Sequence, residues 1–213
     1  MSFIVKNTTK ISIFDLIAPH SCRGCGALGS VLCERCKNNL LSQKHSKSKQ
    51  PHELHYVGRR DGVLASLIHD YKYSSTRAIG PILAELIDKT LPPVQGQVVI
   101  VPLPTIPRHI RERGLDHTYL VAKNLVKLRG KNYQVKQLLV RDKNTVQVGT
   151  DRKTRIAQAK HAYTTTPNAT IDQSTTYILL DDVWTTGASM QAAKKTLQAI
   201  GASKIIPLVI AVS

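Results

Sequence analysis

Residues 177–189, "YILLDDVWTTGAS", place two adjacent carboxylates, two threonines, a glycine and a serine directly after an apolar run. An unpaired carboxylate is costly to bury, so Asp181 and Asp182 are expected at a strand end that a ligand can reach. The pattern predicts a strand over 176–180 and a helix from about Ala188 to Ile200. The chemistry should therefore lie between a strand and the helix that follows it.

A phosphate-binding loop is predicted between that strand and helix. Its five residues are Thr185, Thr186, Gly187, Ala188 and Ser189. Their backbone amides would face outward at the positive end of the helix dipole, and Gly187 lets an anion approach the main chain. Because carboxylates repel phosphate, Asp181 and Asp182 should instead bind hydroxyls such as the neighbouring pair of a ribose. The combination predicts a ribose 5-phosphate site; the alternative is that the hydroxyl side chains only cap the helix.

All four cysteines lie within residues 22–36, "CRGCGALGSVLCERC". They are Cys22, Cys25, Cys33 and Cys36, arranged as two CxxC pairs seven residues apart. Two such pairs can complete a tetrahedral four-sulfur site, which suits structural Zn²⁺ in a module too small for a core of its own. Two short-range disulfides or a redox pair are the alternatives.

Composition predicts a globular chain with anionic partners. The 213 residues are 42% hydrophobic and carry a formal net charge of +16. Such a charge favours phosphate-rich ligands, nucleic acid or an anionic surface, although general solubility would also account for it. No apolar run is long enough to cross a bilayer, and the N-terminus lacks a signal peptide's apolar core. We therefore expect a cytoplasmic protein with no transmembrane segment.

Hydrophobic spacing predicts an α/β fold with a mostly parallel sheet. Helices are predicted at 61–73, 80–91 and 117–130, and further strands at 97–104, 134–140 and 204–212. The polar, basic stretch at 41–53 is typical of a linker. The predicted domains are a zinc-binding module over 1–45, a linker over 46–56 and an α/β domain over 57–213.

The stretch at 177–189 resembles the phosphoribosyl pyrophosphate (PRPP) motif of type I phosphoribosyltransferases, in which apolar residues precede two acidic residues and a Thr-Gly-rich loop. With the four-cysteine module and residues 101–125, "VPLPTIPRHIRERGLDHTYLVAKNL", the chain from about Cys22 to its end resembles the ComF (competence protein F) family. This implies a type I phosphoribosyltransferase-like fold with a flexible hood, preceded by a small four-cysteine zinc module.

The resemblance also implies further ligand contacts. Pro102 to Pro104 would form a loop on the pyrophosphate side, and residues 140–155 would form the hood. Candidate pyrophosphate or hood contacts are Lys72, Tyr73, Arg108, Arg113, Arg141, Gln147, Arg152 and Arg155. The chain departs from the family pattern at Leu115-Asp116-His117 (usually Phe-Asn-Gln), at Gln158 (usually Asn), at Trp184 (usually a smaller aliphatic residue) and at Ser189 (commonly Thr).

The resemblance implies a role in the uptake or processing of single-stranded DNA during natural transformation. Implied partners are PRPP with Mg²⁺, single-stranded DNA and competence proteins such as a DNA helicase, which would bring the protein to the inner face of the membrane. Residues 101–160 hold fourteen Lys and Arg against four Asp and Glu, and four tyrosines offer stacking surfaces: Tyr71, Tyr73, Tyr119 and Tyr133. The alternatives are a Mg-PRPP-dependent phosphoribosyltransferase with an unidentified nitrogenous acceptor, or a PRPP-sensing regulator. No catalytic residue is predicted.

Overall fold

The structure, a computed structural model, describes residues 20–43, 53–74, 76–141 and 162–213. Its helices are α1 (Glu34–Ser42), α2 (Gly62–Tyr73), α3 (Ile79–Thr90), α4 (Pro107–Arg113), α5 (His117–Arg129) and α6 (Ala188–Ala199). Its strands are β1 (His55–Arg59), β2 (Val98–Pro102), β3 (Tyr133–Val135), β4 (Leu139–Arg141), β5 (Tyr163–Thr165), β6 (Thr176–Trp184) and β7 (Lys204–Val212). Within the described ranges, none of these helices is long and apolar enough to cross a membrane.

Five strands form one parallel sheet in the order β1-β7-β6-β2-β3. The strand that carries the acidic pair, β6, therefore lies in the middle of the sheet. The remaining two strands, β4 and β5, form a separate antiparallel pair. The predicted α/β class with a mostly parallel sheet is confirmed.

Both faces of the sheet are covered, which explains why β2 consists entirely of buried residues. On one face, Leu64 of α2, Leu83 of α3 and Val121 of α5 pack in one apolar cluster. On the other, Leu197 of α6 packs with Tyr163 of the β4–β5 pair in a second cluster. The ligand-binding edge of such a sheet is the one where its parallel strands end.

Several elements differ from the sequence prediction, which includes none of α1, α4 and β5. β1 was not predicted, and because it begins at His55 the last two positions of the predicted linker belong to the sheet. The single strand predicted over 134–140 is two strands, β3 and β4, in different sheets. The strand predicted over 176–180 continues to Trp184, since its backbone keeps pairing with β7.

The cysteine-containing segment packs directly on the α/β domain. Arg23 Nε lies 2.5 Å from Asp70 Oδ2 of α2. Lys37 is buried on α1, and its ammonium group donates to Glu34 at 2.6 Å and to Glu85 of α3 at 2.8 Å. A buried ammonium requires such partners, so these contacts tie the segment to α2 and α3.

Candidate functional site

The two carboxylates lie where the central strand loses one of its neighbours. β2 ends at Pro102, which pairs with Leu180, whereas β6 continues along β7. From Asp181 onward, β6 has a partner strand on only one side. The crevice left beyond β2 brings Asp181 and Asp182 to the C-terminal edge of the sheet, where α/β folds bind ligands.

Asp181 and Asp182 point to opposite faces of the sheet, as the two-residue period of a strand requires. Asp182 lines a cavity with Tyr71 and Lys72 of α2. Asp181 instead lines a separate depression with Ser189 and Val209. In the sequence alone, the two carboxylates are equivalent neighbours. The structure gives each its own surroundings.

Asp182 forms an ion pair with Lys72. The pair joins Lys72 Nζ to Asp182 Oδ2, and both side chains are mostly buried, 19% and 26% exposed. In the sequence, only the family resemblance points to Lys72, and nothing in the residue pattern connects it with Asp182.

The surroundings of Asp181 disfavour its ionised form. Burial, and next the carboxylate of Asp182, raise the pKa of Asp181 to about 7, although Lys72 and Arg141 oppose this rise. Its Oδ1 accepts a hydrogen bond from the backbone N–H of Asp182 at 2.8 Å. A carboxyl group in this state exchanges its proton near neutral pH. Nothing in the residue pattern indicated this property, since it depends on what surrounds the strand end.

The loop after β6 brings backbone amides to the start of α6. Gly187 is the N-cap residue with φ 76°, a left-handed conformation that favours glycine. Thr186 Oγ1 accepts a weak hydrogen bond from the N–H of Ala188 at 3.4 Å. Asp181 and the loop residues through Ser189 line one small depression. The carboxylate and the predicted phosphate loop thus share one surface.

The indole ring of Trp184 packs against Gly187 and so supports the loop. Its side chain is 8% exposed, and a Cβ added at Gly187 would clash with the indole ring. Glycine is therefore required here both by its backbone angle and by its contact with the ring. The larger residue that this chain carries at position 184 is part of the loop's structure.

Arg141 contributes a cation on the Asp181 side. It ends β4, and its guanidinium lies 5.7 Å from the ring centre of Tyr163. Its Nε is buried and has no hydrogen-bond partner in the part of the chain that the structure describes. The other hood candidates, Gln147, Arg152 and Arg155, lie outside the described residues, as does Gln158.

The remaining basic candidates, Arg108 and Arg113, both belong to α4. Arg108 of α4 is exposed and donates to Glu112 at 2.6 Å. Arg113 is the last residue of α4. Pro102 ends β2, and Leu103 then donates its N–H to Leu180 O at 2.8 Å, which places the start of the predicted pyrophosphate loop beside the acidic pair.

Asp116 and His117 both contact neighbouring protein groups. Asp116 caps α5 by accepting from the N–H of Tyr119 at 3.2 Å, and it also accepts from Thr105 Oγ1 at 3.3 Å. His117 is buried edge-on against Tyr71, with ring centres 4.7 Å apart.

The four predicted stacking tyrosines differ in exposure. Tyr71 and Tyr133 are buried, and Tyr119 is half-buried beneath Lys123. Tyr73 is 63% exposed and contacts His69, with ring centres 5.0 Å apart. Tyr73 is therefore the tyrosine of this set that a planar ring could reach.

The four cysteines form a cluster whose spacing would suit a metal ion. Their sulfur atoms lie within 4.8 Å of one another, and Cys25 Sγ and Cys33 Sγ are 3.7 Å apart. Zn–S bonds of about 2.3 Å in a tetrahedron place sulfur atoms about 3.8 Å apart. The N–H groups of Gly24 and Cys33 each approach Cys22 Sγ at 3.4 Å. The geometry fits Zn²⁺.

Electrostatics also favour a cation among these thiols. Although burial opposes it, backbone hydrogen bonds lower the pKa of Cys22 to about 6. The neighbouring Cys33, chiefly, raises the pKa of Cys36 to about 12. The four groups therefore resist ionising together unless a cation neutralises them. Arg35, which hydrogen-bonds Cys25, supplies part of the compensating charge.

Comparisons with known proteins found a structural likeness. The solved structure described as "structure of the allosteric regulatory enzyme of purine biosynthesis" is 14% identical to this chain, with a TM-score of 0.38. The likeness covers 61% of this chain and 24% of that one, so the matched region is about a quarter of the longer chain. No family model and no curated protein matches the sequence.

Proposed function

We propose that this protein binds PRPP at the edge of the sheet beyond β6. The observation that carries the proposal is the direct succession of the acidic pair, the Gly187 loop and the N-terminus of α6 on a central parallel strand. The resemblance to the PRPP motif supports the same ligand. A 5-phosphate would bind the amides of residues 185–189, where the helix dipole favours an anion.

The rest of PRPP would meet charges of both signs. Asp181, which shares the loop depression, would accept hydrogen bonds from the ribose hydroxyls, and Asp182 on the opposite face would hold Lys72 for the pyrophosphate. The pyrophosphate needs cations, and Lys72 and Arg141 are candidates on either face. Carboxylate oxygens are ligands that Mg²⁺ prefers, so either carboxylate would suit a magnesium ion that arrives with PRPP. Bound Mg²⁺ would neutralise charge on the pyrophosphate.

Titration calorimetry with Mg-PRPP tests this proposal. We expect the wild-type protein to bind and the Asp181→Asn/Asp182→Asn double variant to show no measurable binding. Asp172→Asn is the matched control, because this carboxylate lies in a turn before β6 and contacts Ser174 rather than the loop. Absence of binding by the wild-type protein, or equal binding by the double variant, would overturn the proposal.

For the biological role we propose the one that the ComF resemblance implies, namely handling single-stranded DNA at the inner face of the membrane during natural transformation. The net charge of +16 favours a polyanion, and the exposed Tyr73–His69 pair offers a surface for base stacking. The pair lies on the helix that also carries Lys72. Competence proteins such as a DNA helicase are the partners that we infer.

Binding of a labelled oligothymidylate at several salt concentrations tests the DNA role. The Tyr73→Ala variant should bind several-fold more weakly, because stacking on an aromatic ring contributes about 1–3 kcal/mol per base. Tyr133→Phe is a control because Tyr133 is buried. Salt-independent binding would contradict a contact with the phosphate backbone, and equal affinity of Tyr73→Ala would contradict stacking at this position.

A phosphoribosyltransferase is the second candidate, and the raised pKa of Asp181 favours it. A carboxyl group that titrates near neutral pH can accept a proton from an attacking nitrogen nucleophile. The enzyme would release pyrophosphate from Mg-PRPP when a nitrogenous acceptor is present, and Asp181→Asn should abolish this release. A protein that binds Mg-PRPP but releases no pyrophosphate with any nucleobase or amine would exclude this candidate and leave the binding proposal intact.

A further inference from the structure

A second cavity lies beside the loop, outside the surface assigned to PRPP. It has a volume of about 230 Å³. Trp184 and Met190 line both this cavity and the loop depression. Trp184, one of the positions at which this chain departs from the pattern of the family that it resembles, therefore also forms a wall of the cavity.

The cavity combines an apolar interior with a cationic rim. Trp184, Met190 and Pro207 are buried and supply an indole, a thioether and a proline ring. Such groups pack well against flat aromatic rings. The rim comes from one face of α6, whose residues recur at helical spacing: Gln191, Lys194, Lys195 and Gln198.

The two lysines differ in their partners. Lys194 Nζ lies 3.1 Å from Glu53 Oε2 at the edge of the cavity. Lys195 forms no ion pair in the part of the chain that the structure describes. Two ammonium groups against one carboxylate leave the rim with a positive charge. An anionic substituent on a ring in the cavity would neutralise it.

We propose that this cavity is a binding site for a small planar aromatic anion, of the size of two fused rings with one carboxylate. An apolar cavity of about 150 Å³ accommodates benzene, so the volume here suits a larger ring system. The ligand would lie against the indole that supports Gly187. A bound ligand would therefore contact Trp184, which supports the loop, but not the backbone amides of the loop.

Calorimetric titration of the 213-residue protein with 2-naphthoate tests the site directly and does not depend on PRPP binding. We expect saturable binding with one ligand per chain. The neutral analogue 2-naphthalenemethanol should bind several-fold more weakly because it lacks the charge. Cyclohexanecarboxylate should also bind more weakly because it is not planar. Equal binding of all three compounds, or no saturable binding of naphthoate, would overturn the proposal.

Variants of α6 test whether the ligand binds in this cavity. Gln198 is exposed, so Gln198→Trp should fold normally and fill the cavity, weakening naphthoate binding at least tenfold. Lys195→Gln should weaken it about twofold to fivefold, the range of an exposed charge pair. Lys123→Gln on α5 is the control for net charge and should bind as the wild type does. If Gln198→Trp retains wild-type affinity, the ligand binds elsewhere and the proposal fails.

Discussion

The Asp181→Asn substitution should stabilise the ligand-free protein while it prevents ligand binding. Burial and the carboxylate of Asp182 make ionisation of Asp181 unfavourable in the folded chain. Asparagine has nearly the same shape and retains an oxygen that can accept the hydrogen bond from Asp182 N, now 2.8 Å long. The variant therefore removes the charge without removing the local geometry.

The magnitude follows from the pKa. When a carboxyl group has a higher pKa in the folded than in the unfolded chain, its ionisation lowers the free energy of unfolding of the protein. A rise from 3.8 to about 7 is about three units, which corresponds to about 4 kcal/mol at 1.36 kcal/mol per unit. Local relaxation and water reduce the cost, so we expect a gain of about 1 to 3 kcal/mol. The gain should grow from about pH 4 to pH 7 and then remain constant.

Urea unfolding of the wild type and Asp181→Asn, at about pH 5 and about pH 8, measures this effect. Acid effects on the cysteine cluster are common to both proteins and cancel in the difference. Asp172→Asn is a control that should destabilise the protein instead. Hydrogen bonds from Ser174 hold the pKa of Asp172 below its ordinary value, so its ionised form stabilises the fold. If Asp181→Asn is neutral or destabilising at both pH values, the carboxyl is not in the environment described.

Three further predictions concern the cysteine cluster and the loop. Cys33→Ser should lower bound zinc and the free energy of unfolding together, and a stable, zinc-free variant, seen by metal analysis and urea unfolding, would contradict a structural site. Gly187→Ala should destabilise the protein more than Gly201→Ala and abolish Mg-PRPP binding, because both glycines have positive φ but only Gly187 contacts Trp184. Since Trp184 is the only tryptophan, saturation with Mg-PRPP should change the intrinsic emission, and unchanged emission at calorimetric saturation would place the ligand away from the loop.

The sequence predicted the elements whose hydrophobic period is long and regular. The helices α2, α3, α5 and α6 and the strand β7 lie within a residue or two of their predicted bounds. The sequence does not predict β1, because its five residues, "HYVGR", include a glycine and two basic groups. They do not alternate between apolar and polar as a half-buried strand does. The strand after α5 was predicted as one because its apolar residues continue through the break between β3 and β4.

The site was less predictable than the fold because its chemistry depends on neighbours that are distant in sequence. The acidic pair and the loop were visible as a motif. The ion pair of Asp182 with Lys72 joins residues 110 positions apart, and the proximity of Arg141 to Asp181 depends on the β4–β5 pair. The opposite orientation of the two carboxylates could have been predicted, since it follows from extending the strand to Trp184.

Helix α2 joins the cysteine cluster to the candidate site. At 100° per residue, Tyr71 faces the core, while Asp70 and Lys72 point to either side of it. Asp70 pairs with Arg23, which lies between two of the cysteines, and Lys72 pairs with Asp182. The orientation of one helix therefore sets both contacts. A metal bound by Cys22 and Cys25 would hold Arg23 between them, and the Arg23–Asp70 pair would then restrain the helix that positions Lys72 beside Asp182. A small module without a core of its own can stabilise the site in this way without contributing a residue to it.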